Sequence, residues 1–468
     1  MLFNSVAFFL FLPVVFAIYW SIRKSLQLQN LFLVIASYIF YAWWDWRFLG
    51  LIIFSTVLDY VLSRKMTKFK LWLSIIGNLG ILGFFKYYNF FVESWIQAWG
   101  SIGVEMHDST MKIILPVGIS FYTFQTLSYS LDVYRGKLKP TNDPIAFAAF
   151  VGFFPQLVAG PIERAVKLLP QLEKPRKFEY EQAVSGLRLI LWGLFKKVVV
   201  ADTCARYADD IFSDPTGYSS PALIMGAIYF SFQIYGDFSG YSDIAIGTAR
   251  LFGIRLSTNF KFPYFSRNIA EFWRRWHISL STWFRDYLYI PLGGSRGSKA
   301  QILRNVAIIF LVSGLWHGAK WTFVIWGGVH ALLFIPLILT GVNRNHTTDV
   351  VAEGKFFPSI KEFFQMTFTF TLVALAWVFF RADSWDHAVQ YLGGIFSINF
   401  DKTNHFALIA FAFIAIMLFV DWFSRTGEIP RWWLTEKIKP VRWAVYSIAT
   451  LLILKNLQNG SSFIYFQF

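Results

Sequence analysis

"VAIIFLVSGLWHGAKWTFVIWGGVHALLFIPLIL", residues 306–339, is almost wholly apolar, and His317, Lys320 and His330 are its only ionisable side chains. A membrane span takes about 20 residues. Segment 303–340 is therefore too long for one simple span and barely long enough for two. An ionisable group at membrane depth is costly and by default marks function. His317 is the sharper candidate of the two histidines. Imidazole titrates near neutral pH and can take and return a proton, and Gly314 and Gly318 beside it allow close approach by a ligand or a neighbouring helix.

The apolar character extends outward along the whole chain. Of 468 residues, 56% are hydrophobic, 20% aromatic and 15% charged, whereas a soluble domain averages about 25% charged. Candidate spans fall at about 5–20, 29–44, 48–63, 71–91, 112–134, 184–200, 221–240, 366–382, 406–424 and 441–456. With 303–340 and the segment 145–163, this is an all-α, polytopic transmembrane chain of roughly 11–13 hydrophobic segments. No fixed-period repeat and no low-complexity linker divides it, so 1–468 reads as a single integral-membrane domain. The first run lacks a basic n-region and a small-residue cleavage site, so it is expected to be a retained span. Cys204 is the only cysteine, which excludes an internal disulfide framework and a cysteine-based metal site. The net charge of +15 lies in cations beside spans, as in cytoplasmic loops, and not in a nucleic-acid module.

Those cations orient the chain. Arg23 and Lys24 follow the first span, and Arg64, Lys65, Lys68 and Lys70 the third, which places the N-terminus outside. Loop 92–111, with Glu93, Glu105 and Asp108, then fits the outside. Loops 135–143 and 164–177 are both basic, and "IAFAAFVGFFPQLVAGPIE" (145–163) lies between them. A crossing there would put one basic loop outside, and the loop holding Asp202, Asp209, Asp210 and Asp214 inside. A re-entrant 145–163, broken at Pro155, Gly160 and Pro161, removes both conflicts.

It follows that 250–304 faces the cytoplasm. "FWRRWHISLSTWFRDYLYIPLGG" (272–294) is expected to form one or two interfacial helices, with tryptophans at the membrane boundary and arginines snorkelling. On a helix, His277 shares a face with Leu280, Ser281, Phe284 and Leu288, and Arg274 shares another with Arg285. Glu271 can pair with Arg275 at i+4, and Asp286 lies about half a turn from His277. Guanidinium forks suit phosphate, so Arg274 and Arg285 fit either lipid phosphates at the interface or an anionic ligand.

Familiar catalytic patterns are absent. No His-x4-Asp follows either histidine, since the fifth residues on are Thr282 and Thr322. There is also no Gly-x-Ser-x-Gly elbow, Walker loop or His-Glu-x-x-His helix, and no metal site is supported. What the chain resembles, over "GDFSGYSDIAIGTARLFG" (236–253), "NFKFPYFSRNIAEFWRRWHISLSTWFRDYLYIPLGG" (259–294), "LVSGLWHGAKWTFVIWGGVHAL" (311–332) and "LVAGPIER" (157–164), is the membrane-bound O-acyltransferase family, in its bacterial branch that acetylates glycans of alginate or peptidoglycan type.

The resemblance implies a funnel of spans in which donor and acceptor approach from opposite faces. His317 matches the family's membrane-embedded catalytic histidine, and His277 the second histidine, on the donor side. Trp276, Trp316 and Asp286 join Arg274 and Arg285 as the implied substrate-binding set. The implied donor is acetyl-CoA, a substrate and not a resident cofactor. The implied partners are a periplasmic acetyltransferase, a polysaccharide acceptor and the bilayer of a bacterial inner membrane. A transporter or a scaffold of a polysaccharide export complex, without chemistry of its own, is the competing expectation. Inverted repeats with paired broken helices would favour the transporter, and none is evident.

Overall fold

The computed structural model describes residues 1–106, 112–158, 160–403, 406–427, 438–457 and 463–464. Among them the chain is helical, without strands, apart from one isolated bridge between Tyr218 and Thr403. Five helices are long and apolar enough to cross a membrane: Leu26–Ser63, Lys68–Gly100, Lys299–His317, Trp321–Leu339 and Ile360–Arg381. Val6–Ser21, Leu408–Ser424 and the interrupted run Pro144–Leu157 are shorter apolar segments. This is a polytopic, all-α membrane protein. The open question of 303–340 is answered by two helices of 19 residues each, about 28 Å apiece at ~1.5 Å per residue, close to the ~30 Å hydrocarbon core.

The chain divides into two compact units, 1–184 with 248–256, and 185–247 with 257–468. In the first, the helix Ile119–Tyr134 is buried on nearly every face. It begins at Gly118 (φ +77°), where a Cβ would meet the Leu157 carbonyl oxygen at 2.7 Å. Nearby, buried Asp59 accepts hydrogen bonds from Ser74, from Ser130 at 2.7 Å and from Asn78 at 2.7 Å. Neutral donors thus satisfy a carboxylate that would otherwise be prohibitively costly to bury. Segment 145–163 holds a nine-residue helix, Pro144–Gly152, and a four-residue one, Phe154–Leu157. The Asp143 carboxylate caps the first at Ile145 and Ala146, and extended Phe153 (φ −52°, ψ 105°) breaks the run. Nine helical residues cover about 14 Å, half of what a crossing needs. Asp108, part of the orientation argument for loop 92–111, lies outside the described residues.

In the second unit, the helix begun at Tyr180 continues through a π-helical stretch, Phe195–Ala201, into Asp202–Ser213. Asp202 is therefore buried in a helix and is not a loop residue, contrary to the expectation above. The 32-residue helix Ser220–Leu251 packs against this run. A Cβ on Gly193 would meet the Gly240 oxygen at 2.6 Å, and one on Gly240 the Gly193 oxygen at 2.7 Å, so the two backbones touch where side chains would hold them apart.

Candidate active site

His317 ends the helix Lys299–His317, which Ser298 and Gln301 open with a capping box. Extended Gly318 turns the chain into Trp321–Leu339, which returns antiparallel. Two glycines set how closely this hairpin closes. A Cβ on Gly314 would collide with the Phe323 carbonyl, and one on Gly327 with the Phe310 carbonyl. The close approach holds the buried His317 ring among Trp316 (5.0 Å between centroids), Trp326 (5.1 Å) and Phe380 (5.5 Å).

His277 reaches the same place from a different local structure. Of the one or two helices expected over 272–294, there are two, and the break falls at His277. Ile269–Arg275 ends before Trp276, Ile278–Phe284 begins after His277, and His277 itself adopts φ +43°, ψ 54°. A non-glycine residue in this left-handed region costs about 1–3 kcal/mol and persists only where its surroundings enforce it. Here two backbone bonds enforce it: Lys261 N–H donates to the Arg275 oxygen and Ile278 N–H to the Asn259 oxygen, each at 2.9 Å. As a result Arg274 and Arg285 do not share a helical face. The His277 ring is fully buried, 4.6 Å from Phe238, 5.9 Å from Trp316 and 6.3 Å from His317. Burial pushes its imidazole down to about 3, so it stands neutral at physiological pH. Two histidines forty positions apart are thus within reach of one small reacting group in an otherwise apolar wall.

The arginines are arranged differently from the expectation. Arg274 donates to the carbonyl oxygens of Asn343 (3.0 Å), Asn345 (2.6 Å) and His346 (3.3 Å). Arg275 is paired with Glu271 at 2.8 Å, as its spacing suggested. Arg267, which the sequence did not single out, bonds Glu271 at 3.0 Å and Asp349 at 2.9 Å. These cations tie the helix Ile269–Arg275 to loop 343–349 and are not turned toward a phosphate. Arg285 bonds its neighbour Asp286 at 2.7 Å and remains 59% exposed, so it alone of the proposed phosphate pair is open to a ligand. Trp276 is fully buried between Phe260, Phe272 and Trp377, within 5.0–5.5 Å, and packs the core. Trp316 stands edge-on to both histidines. His330 accepts from the Trp273 indole N–H at 3.3 Å, while Lys320 is exposed at the hairpin turn, 3.6 Å from Asp383.

A second polar cluster was overlooked in the sequence. Lys196 sits 2.7 Å from Asp243 and 2.9 Å from Ser239, and Lys197 lies between Asp202 (2.8 Å) and Asp237 (2.9 Å), all buried or nearly so. The signal was present, because adjacent lysines inside the apolar run "LFKKVVVA" meet the same rule that singles out His317. Among the described residues no group of three or more His, Cys, Asp or Glu side chains is placed to hold a metal ion.

Comparison with known proteins accords with this arrangement. Residues 141–377 match the family model described as MBOAT, membrane-bound O-acyltransferase family. The chain is 42% identical to the probable alginate O-acetylase AlgI of Azotobacter vinelandii, over 85% of this chain and 79% of that protein. It is 38% identical to the peptidoglycan O-acetyltransferase of Helicobacter pylori, over 85% of this chain and 80% of that one. The teichoic acid D-alanyltransferase of Bacillus subtilis is more distant, at 29% identity over 48% of this chain and 60% of its own length. The chain whose two histidines meet in this aromatic wall is therefore a multi-pass acyltransferase and belongs to the membrane-bound O-acyltransferase family.

Proposed function

We propose that the protein is an O-acetyltransferase of the bacterial inner membrane. It takes acetyl from acetyl-CoA on the cytoplasmic side and passes it toward a polysaccharide of alginate or peptidoglycan type, with a periplasmic acetyltransferase finishing the transfer. The observation that carries this reading is the 6.3 Å approach of His277 and His317, both buried. The relatives named for alginate and peptidoglycan acetylation support the acceptor class.

In the reaction, the acceptor hydroxyl oxygen attacks the thioester carbonyl carbon while His317 takes the hydroxyl proton. The carbon–sulfur bond then breaks, and the thiolate leaves with that proton as the free thiol. A water-poor wall strengthens local dipoles and excludes hydrolysis of the thioester. Arg285 supplies a charge for donor phosphates, and His277 holds the reacting end.

The test is transfer of radiolabelled acetyl from acetyl-CoA in proteoliposomes, with the periplasmic partner acetyltransferase and alginate or peptidoglycan fragments both supplied on the acceptor side. His317→Ala should lose about a hundredfold or more in turnover, the usual contribution of general acid–base catalysis, while inserting normally. Retention of more than about a tenth of wild-type turnover would remove His317 from the chemistry.

A further inference from the structure

Asn259 occupies an unusual position beneath His277. The short helix Ile278–Phe284 begins at His277, whose side chain does not cap it. The first N–H groups of any helix need partners, and here they find them in another segment. Ile278 N–H donates to the Asn259 backbone oxygen at 2.9 Å, and Ser279 N–H to the Asn259 side-chain oxygen Oδ1 at 3.2 Å. The Ser279 hydroxyl adds a bond to the same oxygen at 2.9 Å. On its other side the Asn259 amide nitrogen donates to the Ser242 hydroxyl at 3.3 Å. Asn259 is fully buried.

A backbone N–H can only donate. The amide atom facing Ser279 must therefore be the oxygen, because the reversed amide would set two donors against each other. That same oxygen lies 3.2 Å from His277 Nδ1. An acceptor at this place requires the proton on Nδ1, and a neutral ring then carries a bare lone pair on Nε2. Nε2 is buried and makes no hydrogen bond among the described residues. Partner groups of this kind commonly fix a histidine's tautomer and orientation.

We infer that Asn259 is a positioning residue that holds His277 as the Nδ1-protonated tautomer, so that His277 meets substrate through Nε2 as a hydrogen-bond acceptor. The group it takes is accordingly an amide N–H of the donor's pantetheine arm, because the acceptor hydroxyl has one proton and gives it to His317. It does not donate to the thioester carbonyl oxygen. Holding that amide at Nε2 fixes the thioester carbon in place, while the acceptor hydroxyl gives its single proton to His317. This assignment rests on the acyl-transfer reading of the two histidines.

The decisive measurement is nitrogen NMR of histidine-labelled protein in lipid nanodiscs, with the His277 signal identified by its loss in His277→Gln. The proton is expected on Nδ1; a proton on Nε2 overturns the inference whatever the activity. In Asn259→Ala the tautomers should mix and kcat fall about tenfold or more, as a wrong tautomer does elsewhere, with the KM for acetyl-CoA unchanged. Asn259→Asp keeps the shape and the acceptor, so it should restore much of kcat. An unchanged tautomer and kcat in Asn259→Ala would also sink the idea, and if that variant does not fold, the wild-type spectrum still decides. A proton on Nδ1 together with full activity in His277→Ala would instead overturn the functional role of His277 and leave the tautomer assignment standing.

Discussion

Arg274 and Arg285 show how little a residue type says without its partners. Both were candidates for phosphate, yet the terminal nitrogens of Arg274 bond loop carbonyls and Arg285 stands exposed beside Asp286. Arg285→Gln should therefore raise the KM for acetyl-CoA with little change in kcat, as loss of uniform binding does. The effect should shrink as salt rises, because exposed charges are screened. Arg274→Gln should leave that KM near wild type and instead loosen loop 343–349. Steady-state kinetics at two salt concentrations separate the two, and equal KM increases would return Arg274 to the donor site. The histidines themselves were legible because an imidazole in an apolar run is conspicuous. The partners were not, since a backbone carbonyl seventy residues away leaves no mark in the sequence.

The broken helix at His277 is the clearest case at the next scale. "FWRRWHISLSTWF" contains no glycine or proline and carries a helical period, so nothing local announces the break. It is imposed from outside, by the backbone bonds of Asn259 and Lys261 to residues on either side of it. The hairpin, by contrast, could be anticipated in part, since Gly314 and Gly318 mark close approach, although its two crossings could not be counted from hydropathy. Loop 343–349 offers a test at this scale. Burial alone raises the Asp349 carboxyl, but the hydrogen bond from His346 and the charge of Arg267 outweigh it and hold the group below the ordinary carboxylate range. A depressed pKa contributes stability that is complete above the unfolded value, about 4 for Asp, and is lost as pH falls further. Protease cleavage between residues 343 and 349 should stay slow at neutral pH and quicken only below about pH 4. In Asp349→Asn it should already be fast at pH 7; equal rates at both pH values would discount the latch.

Over the whole molecule, the all-helical, polytopic class followed from composition, while the number of spans did not and sidedness rests on the placement of basic loops. In a Cys204→Ser background, Lys65→Cys, Lys137→Cys and Lys174→Cys should resist an impermeant thiol reagent added to intact spheroplasts, and Glu105→Cys should react. Labelling of position 174 from outside would mean that 145–163 crosses after all. The lysine–aspartate cluster carries a further consequence, for biogenesis. Synthesis delivers Lys196 and Lys197 to the membrane before Asp237 and Asp243 exist; Lys197 already has Asp202 five residues on, but Lys196 must wait for Asp243, more than forty residues downstream. Isolated lysines at span depth oppose insertion by about 2.5–3.5 kcal/mol each. The segment 184–200 should therefore remain in the translocation machinery until 220–251 follows, and the two should enter lipid as a pair. Chains halted at residue 218 should crosslink to the insertion channel, and chains halted near 290 should be released from it. If both were released alike, the lysines would not need their carboxylates to enter. The ion pairs that look like static ballast in the finished protein act first as an appointment between two helices that the ribosome makes seconds apart.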